Sequence, residues 1–174
     1  MGRQNVFLVG LMAVGKSTVG RLLARELGYD FYDTDHVIEE RAGADVAWIF
    51  DVEGEKGFRD RETQVLDELS RLEGVVLATG GGAVVRECNR QMLASRGCVV
   101  HLDSPLDRLV ERTQKDKKRP LLQSGDPADT LARLQVERDP LYRDVADYCF
   151  VTDRQGPRAL VRAIIGRLEE EGVI

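Results

Sequence analysis

The chain has 174 residues, 43% of them apolar, and a single domain of this size buries roughly two-thirds of its unfolded surface. Its 25 basic and 30 acidic side chains give a formal net charge of −5, which argues against nucleic acid and anionic membranes as partners. The longest apolar run, residues 6 to 14, is too short to span a bilayer, and we find no signal peptide before it. We therefore expect one cytoplasmic domain that is monomeric and binds neither nucleic acid nor membranes.

Three cysteines, Cys88, Cys98 and Cys149, show no CxxC spacing. Their odd number and apolar neighbours predict buried, reduced thiols, which agrees with a cytoplasmic location.

Five short apolar runs predict β-strands that alternate with helices. The runs lie at residues 5–9, around 31–33, 75–79, 98–102 and 148–152. Gly28 and Gly74 are predicted to end the first two long helices, while Ser104 and Asp126, each followed by a proline, predict helix starts. This alternation predicts an α/β fold, a parallel sheet between two layers of helices, with ligands at the carboxyl ends of the strands.

A phosphate-binding loop follows the first strand. The sequence GLMAVGKST fits the pattern G-x-x-x-x-G-K-[ST] and opens an amphipathic helix. Lys16 is predicted to reach the β- and γ-phosphates of ATP, and Ser17 to bind Mg²⁺. The alternative is a glycine-rich turn without a ligand. The predicted nucleotide-binding residues of the loop are Gly10, Ala13, Val14, Gly15, Lys16, Ser17 and Thr18.

Two carboxylates, Asp33 and Asp35, stand at the end of the second strand. One can serve the metal and the other an acceptor hydroxyl, because residues two apart in an extended segment face the same side. The alternative is that Asp35 only caps the following helix.

Three further segments carry candidate ligand-binding groups. Arg59 and Glu62 are three apart and share a helix face, although a surface ion pair would also explain them. The run Gly80–Gly82 suits close approach by a substrate, and a flexible turn is its alternative. The basic segment 112–119 has the composition of a lid over phosphates, or of a solvated charge run.

The remaining candidates have structural interpretations. His36 and His101 are predicted to be structural, because no second His, Cys or carboxylate stands at metal spacing in the sequence. Trp48 is predicted to be a packing residue.

The motifs in combination strongly resemble the shikimate kinase family. In chain order they are Gly-x-x-x-x-Gly-Lys-Ser-Thr, Asp-Thr-Asp, Gly-Glu-x-x-Phe-Arg-x-x-Glu, Gly-Gly-Gly, Arg-Pro-Leu-Leu and Arg-x-Pro-Leu-Tyr. The resemblance implies one domain over residues 1–174, with sheet order 2-3-1-4-5, a shikimate-binding segment at about 33–62 and a lid at about 112–127. It also implies transfer of the γ-phosphate of ATP to the 3-hydroxyl of shikimate, with Mg²⁺ as the metal.

The resemblance assigns a role to individual residues. Lys16, Asp35 and Arg119 are the implied catalytic residues, with Asp35 the candidate to take the proton of the attacking hydroxyl. Ser17 and Asp33 are implied to serve the metal. The implied shikimate contacts are Asp35, Arg59, Gly81, Gly82 and Arg138. Beyond the phosphate loop, the implied ATP contacts are Arg112, Arg119 and Arg154.

Two alternatives and one departure accompany this assignment. A kinase of another polyol acid, such as gluconate, would share the phosphate loop but should lack Arg59, the three glycines and Arg138. A non-catalytic ATP- or shikimate-sensing module is the other alternative. The family usually has glycine at the position of Ala13, so a Cβ there is expected to reorient the loop if φ is positive.

Overall fold

The computed structural model describes residues 3–114, 126–152 and 155–174. Arg119 and Arg154, together with most of the predicted lid at 112–127, lie outside the described residues. The described part contains an α/β arrangement of five strands and seven helices.

The five strands form one sheet with the order β2-β3-β1-β4-β5. Their bounds are β1 Asn5–Val9, β2 Asp30–Asp33, β3 Val75–Ala78, β4 Gly97–Asp103 and β5 Tyr148–Val151. All four strand pairs are parallel, and the central register sets Phe7 of β1 between Leu77 of β3 and Val99 of β4. The predicted fold class and strand order are therefore confirmed.

The seven helices of the described residues connect and flank these strands. Their bounds are α1 Lys16–Leu27, α2 Thr34–Ala42, α3 Val46–Ser70, α4 Glu87–Arg96, α5 Leu106–Thr113, α6 Pro127–Val145 and α7 Pro157–Glu170. α1 packs with α7, whereas α3 packs with α4 and α4 with α6, so the helices form two groups that cover the sheet. A Cβ on Gly20 of α1 would lie 2.7 Å from the ring of Phe31 in β2, which shows how closely α1 approaches the sheet.

The central and edge strands of the sheet differ in burial. The central strands β1 and β3 are buried along their whole length, as expected for parallel strands covered on both faces. The edge strands β2 and β5 are only partly buried: β2, DFYD, has an aspartate at each end, whereas β5, YCFV, is apolar throughout and is exposed because it has a neighbouring strand on one side only.

Two of the four predicted helix boundaries hold, and two need correction. Gly28 ends α1 in a left-handed conformation, and the Asp126 side chain caps α6 by accepting from the Ala128 amide at 3.1 Å. The cap of α5, in contrast, is Pro105 rather than Ser104. α3 ends at Ser70, before the predicted stop at Gly74, because a tight turn with 3.2 Å hydrogen bonding from Leu72 to Leu69 follows it.

Burial corrects two predictions about single residues. Cys98 is buried as expected, but Cys88 and Cys149 are exposed. Trp48 is 49% exposed, so it is not the packing residue that its apolar side chain suggested. Both errors arise because the apolar character of a single side chain carries no information about which neighbour covers it.

Because all five strands are parallel, the loops that follow them lie along one edge of the sheet, the edge formed by the carboxyl ends of the strands. The phosphate loop follows β1, Asp33 ends β2, Gly80–Gly82 follows β3, and Thr152 follows β5. Side chains that are far apart in sequence therefore meet at this edge, as ligand sites in such sheets do. Within the described ranges, no helix has the length and apolar character needed to cross a membrane.

Candidate active site

The phosphate loop is shaped by glycines that adopt conformations disfavoured for other residues. Gly10 has φ 151° and Gly15, the residue before α1, has φ 103°. A Cβ on Gly10 would collide with the Leu102 carbonyl of β4, so the loop depends on the absence of a side chain there. The loop ends at the N-terminus of α1, where the backbone amides of the first turn and the helix dipole favour an anion.

The Lys16 side chain lies along the loop. Its ammonium donates to the carbonyl oxygens of Gly10 and Leu11 at 2.6 and 2.8 Å, and only 8% of the residue is exposed. These contacts hold the ammonium beside the helix N-terminus, where the phosphates of a nucleotide would lie.

Ala13 has the positive φ that its sequence position made a possible source of strain. Its φ of 65° makes it the one non-glycine residue with positive φ in the described part of the chain. The left-handed region costs an alanine roughly 1–2 kcal/mol, so the loop carries local strain.

We expect Ala13→Gly to raise Tm by about 2 °C, because relief of the left-handed alanine exceeds the entropy that glycine adds to the unfolded chain. Differential scanning calorimetry measures this change. Ala94→Gly, on the exposed face of α4, is the control and should lower Tm. A lower Tm in both variants would show that Ala13 is not strained.

Ser17 and Asp33 meet at the metal site that the sequence predicts. The Ser17 hydroxyl donates to one oxygen of the Asp33 carboxylate, while the other oxygen accepts from the His36 amide at 3.3 Å. Asp33 is therefore the cap of α2, and the alternative in which Asp35 caps this helix is wrong. A hydroxyl beside a carboxylate offers the hard oxygen ligands that Mg²⁺ prefers, so these residues fit that ion.

Two adjoining cavities open at this edge of the sheet. The larger, about 700 Å³, is bordered by the phosphate loop, Asp33, Arg112 and Thr152. The smaller, about 50 Å³, is bordered by Arg59 and Arg138 among others. The residues that line both cavities are Asp35, Val46, Gly80 and Gly81. A group held in one cavity can therefore reach a group held in the other.

Asp33 and Asp35 both face the larger cavity, but not for the predicted reason. Because α2 begins at Thr34, the two carboxylates straddle a strand end and a helix start rather than sharing one strand face. The intervening Thr34 is fully buried, and its hydroxyl accepts from the Gly80 amide at 3.2 Å. This bond ties the acidic segment to the glycine run.

Arg59 and Glu62 form a buried pair rather than the surface ion pair considered as an alternative. The guanidinium lies 3.0 Å from one Glu62 oxygen, with 6% of Arg59 and none of Glu62 exposed. Burial raises the pKa of Glu62 to about 7, since desolvation and the nearby Asp35 charge outweigh the attraction of Arg59 and Arg138. The Glu62 carboxyl therefore changes charge near neutral pH.

The glycine run fits closely against these charged groups. A Cβ on Gly80 would lie 2.8 Å from an Asp35 oxygen and 3.0 Å from a Glu62 oxygen. A Cβ on Gly82 would collide with the Arg59 guanidinium. The run is therefore tightly packed and is not the flexible turn considered as an alternative. This run consists of glycines because its backbone itself forms a wall of the smaller cavity.

Arg138 reaches the same edge from α6. One of its nitrogens lies 3.4 Å from the Cβ position of Gly81, and the side chain is 6% exposed. The Tyr142 hydroxyl, one turn further along α6, donates to the Gly81 carbonyl at 2.5 Å. Burial raises the pKa of Tyr142, so this hydroxyl stays protonated as a donor.

Comparisons with known proteins identify the family. A family model described as shikimate kinase matches residues 12–169. The shikimate kinase of Chromohalobacter salexigens is 58% identical over 166 residues, which cover 95% of this chain and 92% of that protein. The chain belongs to the shikimate kinase family.

Further relatives give the same assignment. The shikimate kinase of Pseudoalteromonas atlantica is 53% identical and covers 97% of this chain and 98% of its own length. The structure of a shikimate kinase from Acinetobacter baumannii in complex with shikimate has a TM-score of 0.95 at 48% identity and covers 97% of this chain and 94% of that chain.

The structural comparisons also bear on the gluconate alternative. A gluconokinase from Sinorhizobium meliloti has a TM-score of 0.57 at 17% identity, covering 97% of this chain and 95% of that chain, and so shares the fold alone. The predicted shikimate kinase family is therefore confirmed, and with it the class of ATP-dependent phosphotransferase. Neither gluconate nor the sensing module gains support.

Two elements of this shikimate kinase site were missed from the sequence. The burial of Glu62 and the bond from Tyr142 to Gly81 both depend on contacts between α3 or α6 and the edge of the sheet. The Arg-x-Pro-Leu-Tyr motif contains Tyr142 and was the available signal, but one motif residue does not reveal its partner.

Arg112 contacts the phosphate loop from the end of α5. Its guanidinium donates to the carbonyl oxygens of Ala13 and Val14 at 3.1 and 3.0 Å and borders the larger cavity. The ATP contact implied for Arg112 stays a prediction, as do the roles of Arg119 and Arg154.

The histidines differ from each other. His36 is exposed and lies 3.0 Å from Glu40. His101 is 2% exposed and stacks on Tyr142 with ring centroids 4.9 Å apart. The sequence indicated no carboxylate at metal spacing, but the fold brings ligand atoms of His101, Asp103 and Asp139 within 4.8 Å of one another. Asp139 comes from α6, so sequence spacing could not show this.

Proposed function

We propose that this chain transfers the γ-phosphate of ATP to the 3-hydroxyl of shikimate, giving shikimate 3-phosphate and ADP. The observation that carries the proposal is the pair of adjoining cavities, one bordered by the phosphate loop and the other by Arg59 and Arg138. Asp35, Gly80 and Gly81 border both, so donor and acceptor would meet beside the Asp35 carboxylate. Segment 33–62 would then be the acceptor-binding part, and segment 112–127 the lid.

The proposed donor side neutralises charge. Lys16 would move from the loop carbonyls to the β- and γ-phosphates, whose oxygens gain negative charge as the phosphoryl group transfers. Ser17 and Asp33 would hold Mg²⁺, which supplies further positive charge to the phosphate oxygens when it is bound. Arg119 would add a second cationic group from the lid.

The proposed acceptor side aligns the hydroxyl. Arg59 and Arg138 present two planar guanidinium groups to a carboxylate, which such groups bind through paired hydrogen bonds. Asp35 would accept the proton of the attacking hydroxyl and orient it toward the phosphate. The three side chains in these two roles, Asp35, Arg59 and Arg138, all lie against the glycine run.

The first test is ADP release by the purified chain with MgATP and shikimate, gluconate or no acceptor. We expect turnover with shikimate alone, with shikimate 3-phosphate identified by mass spectrometry. Equal turnover on gluconate, or a rate of ADP release that does not depend on the acceptor, would contradict the proposal.

We expect Arg59→Lys to raise the shikimate KM by at least about tenfold, because an ammonium cannot make the paired hydrogen bonds of a guanidinium. Steady-state kinetics at saturating ATP measure it. Arg71→Lys is the matched control, because Arg71 pairs with exposed Asp67 near the end of the same helix. An unchanged KM in Arg59→Lys would remove Arg59 from the acceptor site.

The raised pKa of Glu62 predicts a pH dependence of shikimate binding. Below about pH 7 the Glu62 carboxyl is neutral, so Arg59 is available to the shikimate carboxylate. Above about pH 7 the charged Glu62 carboxylate competes with shikimate for Arg59. The Kd for shikimate should therefore rise between pH 6 and pH 8, by at most about tenfold for a single proton.

Isothermal titration at pH 6, 7 and 8 measures this dependence. Glu62→Gln should flatten it, and Glu55→Gln, which changes the exposed carboxylate 3.5 Å from Arg59, should not. The same slope in Glu62→Gln as in the unmodified chain would assign the titration to another group.

A further inference from the structure

The long helix α3 is interrupted by a sharp kink at Gly54. This residue has φ 76° and ψ 176°, a backbone conformation that is open almost exclusively to glycine. A Cβ on Gly54 would meet nothing within 4 Å, so the backbone conformation and not crowding requires glycine here. The kink divides α3 into a first half, residues 46–53, and a second half, residues 55–70.

The two halves are joined across the kink by two pairs of side chains. Phe50 and Phe58 have ring centroids 4.8 Å apart. Arg61 donates through two nitrogens to the two carboxylate oxygens of Glu53, each at 2.8 Å. In a straight helix residues eight apart lie about 12 Å apart along the axis, so the ring contact requires the kink.

The two pairs lie in different surroundings. Phe50 and Phe58 line the smaller cavity, as do Val46 of the first half and Arg59 of the second. Glu53 and Arg61 line neither cavity and are partly exposed, with 30% and 38% of their side chains accessible. The kink therefore lies between two walls of the cavity, and the ion pair spans the kink from outside the cavity.

We propose that Glu53 and Arg61 are positioning residues: their two-bond ion pair fixes the kink and holds residues 46–53 where they close the acceptor cavity. This proposal rests on the assignment of the smaller cavity to shikimate. Neither residue lines the acceptor cavity, so both act through the first half of α3.

The proposal makes a specific prediction for affinity and rate. A first half that is free to swing away weakens acceptor binding, whereas the phosphate loop and its nucleotide are untouched. Exposed ion pairs contribute little individually, but a charge reversal also brings like charges together. We therefore expect Glu53→Arg or Arg61→Glu to raise the shikimate KM by about fivefold, with kcat and the ATP KM within about twofold of the unmodified chain.

The double variant E53R/R61E restores the opposite charges and should bring the shikimate KM back to within about twofold. Lys56→Ala is the matched control, because Lys56 pairs with Asp60 at 3.1 Å wholly within the second half of α3. Unchanged KM values in both single variants, or no recovery in the double variant, would overturn the proposal. A parallel rise of the ATP KM would also do so, since it indicates general damage.

Hydrogen exchange of the ligand-free protein tests the ion pair without any acceptor. Amides of residues 46–53 should exchange faster in each single variant and at the original rate in the double variant. Unchanged exchange in the single variants would overturn the proposal. If the unmodified chain shows no turnover with shikimate, the proposed function fails while the exchange data still decide whether the pair holds the kink.

Discussion

Replacing Lys16 with methionine is expected to lower kcat by roughly 10³-fold, the largest loss of any single change in the phosphate loop. The ammonium lies beside the N-terminus of α1, bonded to two loop carbonyls, and methionine keeps its length without its charge. The developing charge on the transferred phosphoryl group would then lose its nearest cationic partner. Single-turnover kinetics with MgATP and shikimate measure the chemical step directly.

Arg21→Met is the matched control for Lys16, because it removes a cation from the exposed face of the same helix, where Arg21 lies over the Phe31 ring. It should leave kcat unchanged. A loss below tenfold in Lys16→Met, with Tm preserved, would remove Lys16 from the catalytic group.

The second large effect is expected at Asp35. Asparagine has nearly the same shape but cannot accept the hydroxyl proton, so Asp35→Asn should lower kcat by about 10²- to 10⁴-fold. The ATP KM should change little, since the phosphate loop and the Ser17–Asp33 contact remain. A change confined to kcat would assign Asp35 to the chemical step.

Glu40→Gln is the control for Asp35, because it neutralises an exposed carboxylate on α2 that pairs with His36. Full activity is expected in that variant. Near-normal kcat in Asp35→Asn would mean that a water molecule or the phosphate itself takes the proton.

Local sequence signals account for the parts of the fold that were predicted. The phosphate loop was found because a strand, a glycine pattern and a helix start lie next to one another in the chain. The near-continuous apolar runs identified β1, β3 and β4 because parallel strands covered on both faces carry few polar residues. The strand order came from the family resemblance, since periodicity alone does not say which strands are neighbours.

The missed features depend on contacts between distant parts of the chain. The exposure of Trp48, the burial of Glu62 and the approach of Asp139 to His101 are set by packing that no local pattern records. The kink at Gly54 was missed for a related reason. An isolated glycine in a helical pattern predicts a local loss of stability. The positive φ of Gly54, which produces the kink, can be read only from the backbone coordinates.

The glycine run after β3 has a consequence for inhibition. Its backbone lies against Asp35, Glu62 and Arg59, so a side chain at Gly80 or Gly82 would displace the groups that we propose for acceptor binding. An inhibitor that hydrogen-bonds to the backbone of this run would contact atoms common to every amino acid. A substitution there that weakened the inhibitor would also disturb the proposed acceptor site, so we expect resistance through a single change in this run to be accompanied by a loss of activity.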